Sequence, residues 1–100
     1  MVLVDLDPTV GSEIRKTRPC VVVSPNELNE ALRTLIVAPL TAHGHAYPWR
    51  IQARFAGTTG RIALDQLRTI DRQRVVRPLG KLEPQTRRRL LSALAALFAP

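Results

Sequence analysis

The stretch Pro19-Cys20-Val21-Val22-Val23-Ser24 is a continuous run of small and β-branched residues. It lacks the apolar/polar alternation of a half-solvated strand, so it reads as a central strand covered on both faces. Upstream, residues 2–6 do alternate: Val2, Val4 and Leu6 share one side, while Asp5 and Asp7 mark the other. That is a short strand with one wet face. Asp7-Pro8-Thr9 ends it, and a loop follows through residues 11–17. Downstream, Ser24-Pro25-Asn26-Glu27 is a turn entering about one helical turn that stops near Arg33. Residues 34–40 form the next strand, with Pro39 expected at its end or at a bulge because proline has no N–H to donate.

Residues 41–48 read as a loop carrying both histidines, and residues 49–53 alternate as a strand. Gly57-Thr58-Thr59-Gly60 reads as a turn. Short strands are expected at residues 61–64 and 66–70, broken at Asp65, and at residues 75–80. From Pro84 to Phe98 the period changes. Leu90, Leu91, Leu94, Leu97 and Phe98 fall on one helical stripe, Pro84 suits the first helical position, and Arg87-Arg88-Arg89 lie toward solvent. Six or seven short strands, a brief internal helix and a carboxy-terminal helix make a β-dominated α+β chain, and its expected form is a small, strongly curved barrel.

One hundred residues give a single domain, residues 1–100, with no room for a second core. No apolar run approaches the length of a membrane span. The amino terminus lacks a charged start followed by a hydrophobic block, so secretion is not expected. Cys20 is the only cysteine and cannot form an internal disulfide, which fits a reducing, cytoplasmic setting. The formal charge is +7, and of the fifteen basic residues thirteen are arginine. Arginine's planar fork matches phosphate geometry, so the composition favours a nucleic-acid partner, although a GC-rich genome would produce the same bias.

No Gly-rich phosphate loop, paired Cys-x-x-Cys or His-Glu-x-x-His occurs. His43 and His45 lack a third ligand nearby, so no metal site is assigned. Ser12, Ser24 and Ser92 sit in none of the usual nucleophile contexts. The segment from Gly11-Ser12-Glu13 to Arg18-Pro19 is more informative. Its glycine and serine can offer N–H and hydroxyl groups to a phosphate, and Arg18 stands at the mouth of the central strand. Glu13 there either holds Arg18 through a salt bridge or takes a proton, and spacing favours the salt bridge. Thr41 can project into the same mouth or cap its loop. Gln66, beside Asp65, can read a base edge or satisfy backbone groups. Cys20 reads as packing rather than chemistry. Tyr47 and Trp49 can stack a base, but Trp49 on an alternating strand reads as core.

The run Val4-Asp5-Leu6-Asp7-Pro8-Thr9-Val10-Gly11-Ser12-Glu13, followed by Arg18-Pro19-Cys20-Val21-Val22-Val23-Ser24, resembles the MazF/PemK/Kid family of type II toxin endoribonucleases. Ala38-Pro39-Leu40-Thr41, Tyr47-Pro48 and Leu64-Asp65-Gln66-Leu67-Arg68-Thr69-Ile70-Asp71 match in the same order. The resemblance implies an SH3-like barrel shared with the CcdB gyrase poisons, a homodimer, and a toxin silenced by a cognate antitoxin. It also implies metal-free, sequence-selective cleavage of single-stranded RNA, with no cofactor. It makes Arg18 the essential arginine, Thr41 the catalytic threonine and Glu13 the loop glutamate. Ser12, Asp65 and Gln66 would line the substrate groove. Relatives carry a short Arg/Lys-Gly-Asp stretch ahead of the first strand that is missing here, so a shortened start is expected.

RNA brings its own nucleophile, the ribose 2′-hydroxyl beside the scissile phosphorus. The protein must then orient the strand, move two protons and stabilise charge on phosphorus. Arg18 suits the charge, with Thr41 adding a hydrogen bond. Glu13 is the chemically easier base, and His43, counted with the substrate-binding residues, is the easier acid if it reaches, giving a 2′,3′-cyclic phosphate and a 5′-hydroxyl. A basic toxin suits an antitoxin with an acidic docking segment, and operator DNA would be reached only through that antitoxin. Two readings from other classes remain. One is a CcdB-like binder of gyrase that hydrolyses nothing, which has no need of the Arg18/Thr41 pair. The other is an inert RNA-binding module.

Overall fold

The computed structural model describes residues 1–42, 45–55 and 57–100. At its centre is β2 (Thr17–Val22), antiparallel to β1 (Val2–Asp5) on one side and to β3 (Thr34–Thr41) on the other. The β-branched run is covered on both faces, as its pattern requires. Cys20 belongs to one apolar cluster with Val4, Leu6, Leu35, Val37 and Ile70. Its neighbour Val21 belongs to the other, with Ala38, Leu40, Ile62, Leu64 and Leu90. Successive side chains of β2 and β3 thus feed opposite layers.

The remaining strands are β4 (Arg50–Phe55), β5 (Thr58–Ala63), β6 (Arg68–Asp71) and β7 (Val75–Pro78). Together the seven make one antiparallel sheet ordered β4-β5-β3-β2-β1-β7, with β6 also paired to β3. Helix α1 (Asn26–Ala31) is the short internal helix, and α2 (Pro84–Leu97) packs against β4. Ser24, screened above as a nucleophile, is buried and structural. Its hydroxyl accepts the Ile36 N–H at 3.1 Å and pairs with Asn29 at the entry to α1.

Three expectations need correction. Pro39 is neither at a strand end nor at a bulge; it lies inside β3, opposite Cys20. The Ile36 carbonyl faces β2, so by alternation Pro39 faces the opposite edge. On that edge β3 pairs with β6 as far as Val37 and with β5 only from Leu40, so the missing N–H interrupts no ladder. Residues 58–60 are strand rather than turn, because the β4–β5 hairpin already pairs Phe55 with Thr58, and Gly57 takes the positive φ of +77°. Gln66 lies in a 3₁₀ turn (Leu64–Gln66), and β6 starts at Arg68. The α2 stripe is only partly used. Leu90 is buried and Leu94 half-buried, but Leu91 and Phe98 remain 46% and 74% exposed.

Candidate active site

The register of β2 on β3 brings the two central candidates together. Cys20 faces Pro39, Val21 faces Ala38 and Val22 faces Val37. Carried two residues toward the end of β3, the same register sets Arg18 across from Thr41. Alternation puts both on the Cys20 face of the sheet. Both line one cavity of about 250 Å³, with Pro19, Leu40, Phe55 and Thr59 among its other walls.

Arg18 is half-buried, and its Nε donates to the Arg15 carbonyl at 2.7 Å. One bond on the loop side therefore aims the guanidinium. Its terminal amino groups hold no bond among the described residues, so the fork can grip two phosphoryl oxygens. Thr41 ends β3 against Arg61 of β5.

Glu13, Asp65 and Gln66 line a second cavity of about 270 Å³, with Pro39 and Arg68. Neighbouring residues of β3 border the two cavities, Pro39 the second and Leu40 the first. Glu13 does not pair with Arg18, which corrects the salt-bridge reading. Its Oε1 accepts from the Val10 N–H at 2.5 Å, and its own N–H donates to the Val10 carbonyl, so it closes its own loop. Gln66 Oε1 accepts from the Ile14 N–H at 3.2 Å, tying that loop to the 3₁₀ turn. This is the backbone-satisfying alternative weighed above, and it leaves the Gln66 amide nitrogen unbonded among the described residues.

Asp65 carries a bond that spacing did not suggest. Arg50 donates to it twice, Nε to Oδ1 at 2.7 Å and Nη2 to Oδ2 at 2.8 Å. These bonds hold the Asp65 carboxyl below the usual carboxylate range and raise Arg50, with partial burial opposing both shifts. Ser12 is exposed on the loop and borders neither cavity. His43, the suggested acid, lies outside the described residues. Cys20 is fully buried, and desolvation pushes its thiol up to about 12 against the opposing pull of Arg68 and Arg18. Among the described residues no cluster of three or more metal-ligating side chains occurs. Sequence reasoning missed Arg68, whose Nη1 donates to the Leu6 carbonyl at 3.0 Å, and Gly60, which borders the Arg18/Thr41 cavity.

The family described as "PemK-like, MazF-like toxin of type II toxin-antitoxin system" matches residues 1–98. The chain belongs to this family. Among relatives, this MazF-like chain is 40% identical to Endoribonuclease PemK of Escherichia coli, over 69% of its own length and 56% of that protein's. It is 36% identical to Endoribonuclease MazF9 of Mycobacterium tuberculosis, over 79% of its length and 75% of the relative's. It thus spans little more than half of the PemK relative. The fold superposes on MazF from Deinococcus radiodurans with a TM-score of 0.83 at 24% identity, covering 96% of this chain and 89% of that one. It also superposes on a mycobacterial endoribonuclease solved in complex with its cognate antitoxin, with a TM-score of 0.81 at 24% identity, covering 99% and 91%.

Proposed function

We propose that this MazF-like chain is the toxin of a type II toxin–antitoxin pair and a metal-independent endoribonuclease that cuts single-stranded RNA. The observation that carries the reading is the sharing of one cavity by Arg18 and Thr41, from strands that meet only in the folded chain. Support also comes from the family match and from relatives named as endoribonucleases.

In this reading the 2′-hydroxyl attacks the adjacent phosphorus in line, and the 5′-oxygen leaves. The Arg18 fork and the Thr41 hydroxyl bind the phosphoryl oxygens and stabilise the extra negative charge. Glu13 takes the 2′-hydroxyl proton and His43 protonates the leaving oxygen. The products are a 2′,3′-cyclic phosphate and a 5′-hydroxyl. Asp65 and Gln66 belong to the substrate groove, Asp65 by holding Arg50 and Gln66 by its unbonded amide nitrogen, and Ser12, exposed on the loop outside both cavities, is proposed to meet the strand only at its edge. No step requires a metal, because the substrate supplies the nucleophile. Treatment with EDTA should leave the rate unchanged.

The partners proposed are a second copy of the chain and an antitoxin with an acidic docking segment, with operator DNA contacted only through the antitoxin. The antitoxin complexes among the structural neighbours and the +7 charge support this. No described helix is long and apolar enough to cross a membrane, and the proposed site of action is the cytoplasm.

The test is a substrate carrying a single 2′-deoxy sugar at the cut site. It should bind and remain whole, while the all-ribose strand is cut. Cleavage of the deoxy strand at the same position would overturn the mechanism. Failure to cut any RNA would favour a gyrase-type binder or an inert module.

A further inference from the structure

An aromatic stack that the cleavage scheme does not use is linked to the second cavity through Arg50 and Asp65. Tyr47 and Trp49 lie ring on ring, with centroids 4.9 Å apart and planes 7° from parallel. Trp49 packs against the core cluster of Val21 and Leu40, so the inner ring of the stack is fixed. Tyr47 is 41% exposed. His45 meets it edge-on at 5.9 Å, and the Arg50 guanidinium carbon lies 6.0 Å from its centroid. Arg50 is in turn held by both oxygens of Asp65, a wall of the cavity shared with Glu13 and Gln66. A chain of contacts therefore runs from the exposed ring, through an arginine, to the cavity lined by Glu13, Asp65 and Gln66.

We propose that Tyr47, backed by Trp49 and flanked by Arg50, is a stacking platform for an unpaired base of the RNA strand, next to the cleavage groove. The inference rests on the ribonuclease reading for its substrate class. Its physical basis is independent of the cleavage step. A nucleobase presents a flat π-face, and single-stranded nucleic acid is held where aromatic rings lie beside cationic groups that follow the phosphates. Both ingredients occur here, and the core-anchored Trp49 makes the platform preformed. An aliphatic partner would gain nothing from the parallel rings or from the guanidinium beside them.

Trp49 is the only tryptophan of the chain, so the platform contains its own reporter. A pool of short 2′-O-methyl oligoribonucleotides, which present no free 2′-hydroxyl and cannot be cut by the proposed route, should quench Trp49 emission on binding. In the cleavage assay, Tyr47→Ala should raise KM by about fivefold or more and change kcat far less. Tyr47→Phe should keep the original KM. Tyr47→Leu retains apolar contact with Trp49 but lacks a π-face, and should behave like Tyr47→Ala. It also separates loss of stacking from loss of local structure.

An unchanged KM in both Tyr47→Ala and Tyr47→Leu would overturn the platform while leaving the nuclease intact. Unchanged Trp49 emission across the oligomer pool would overturn it as well. Quenching by the oligomers in a protein that cuts no RNA would support the platform and refute the nuclease.

Discussion

Gly60 lies directly against the backbone of Thr41: a methyl group on its α-carbon would sit 3.2 Å from the Thr41 carbonyl oxygen. That glycine serves close approach between β5 and β3 and has nothing to do with a turn. The contacted atom is backbone and cannot swing aside as a flexible side chain would. Gly60→Ala should therefore displace Thr41 by a few tenths of an ångström relative to Arg18. Positioning errors of that kind cost rate more than stability. We expect kcat to fall by about tenfold while the thermal midpoint moves by only a few degrees. A Gly60→Ala protein with full kcat would show that Thr41 is not needed where the fold holds it.

Glu13 has two duties in the proposed scheme, and one substitution separates them. Its Oε1 accepts from the Val10 N–H, which a glutamine can also do. Glu13→Gln thus keeps the loop closed and removes only the capacity to take a proton. If Glu13 is the base, kcat should fall by roughly a hundredfold or more with KM little changed. A Glu13→Gln enzyme with nearly full kcat would reduce Glu13 to a loop anchor.

The parts legible in the sequence were those in which a period or a run carries the signal. The unbroken β-branched stretch around Val21 marked the strand with two covered faces. Pro84 and the leucines at 90 and 94 marked α2. The misread parts share a different cause. Thr58, Thr59 and Gly60 look like a turn because glycine is ambiguous, and only the approach of Thr41 explains Gly60. Pro39 looks like a strand terminator because its neighbours on one edge, β6 and β5, come from distant sequence. The Arg50–Asp65 pair, fifteen residues apart, has no sequence spacing that would announce it. Arg18 and Thr41 were singled out by their places at the strand mouth, and the family resemblance gave them their roles. Their meeting follows from the register of β2 on β3, which no local pattern encodes.

Cys20 offers a check on the core beneath the site. Burial pushes its thiol up to about 12, and its Sγ lies 3.7 Å from the Arg18 carbonyl as a weak donor. Only the thiolate attacks an alkylating reagent, and its population near neutral pH is negligible at that value. The native protein should therefore resist iodoacetamide, with labelling appearing only as denaturant opens the chain. Rapid alkylation under native conditions would mean that the β1–β2–β3 layer opens far more easily than its packing suggests.

The Arg50–Asp65 pair predicts a pH dependence with a definite sign. The Arg50 hydrogen bonds keep the folded-state carboxyl below its ordinary value of 3.8, with burial partly opposing them. An unfolded chain takes up the proton more readily, so the stabilisation is complete above about 3.8 and fades as pH falls through the depressed folded value. The two side chains are 15% and 31% accessible, so solvent screens the pair and its contribution is about 1 kcal/mol at most. Asp65→Asn should lower the urea midpoint at pH 7 by a corresponding amount. The difference from the unmodified protein should narrow steadily as the buffer is taken below pH 4. The same substitution frees Arg50 from its carboxylate, so its effect on KM should exceed its effect on kcat if Arg50 helps to hold the RNA strand. A stability difference equal at pH 7 and at pH 3 would show that the ionised pair contributes nothing and that the substitution acts through packing alone.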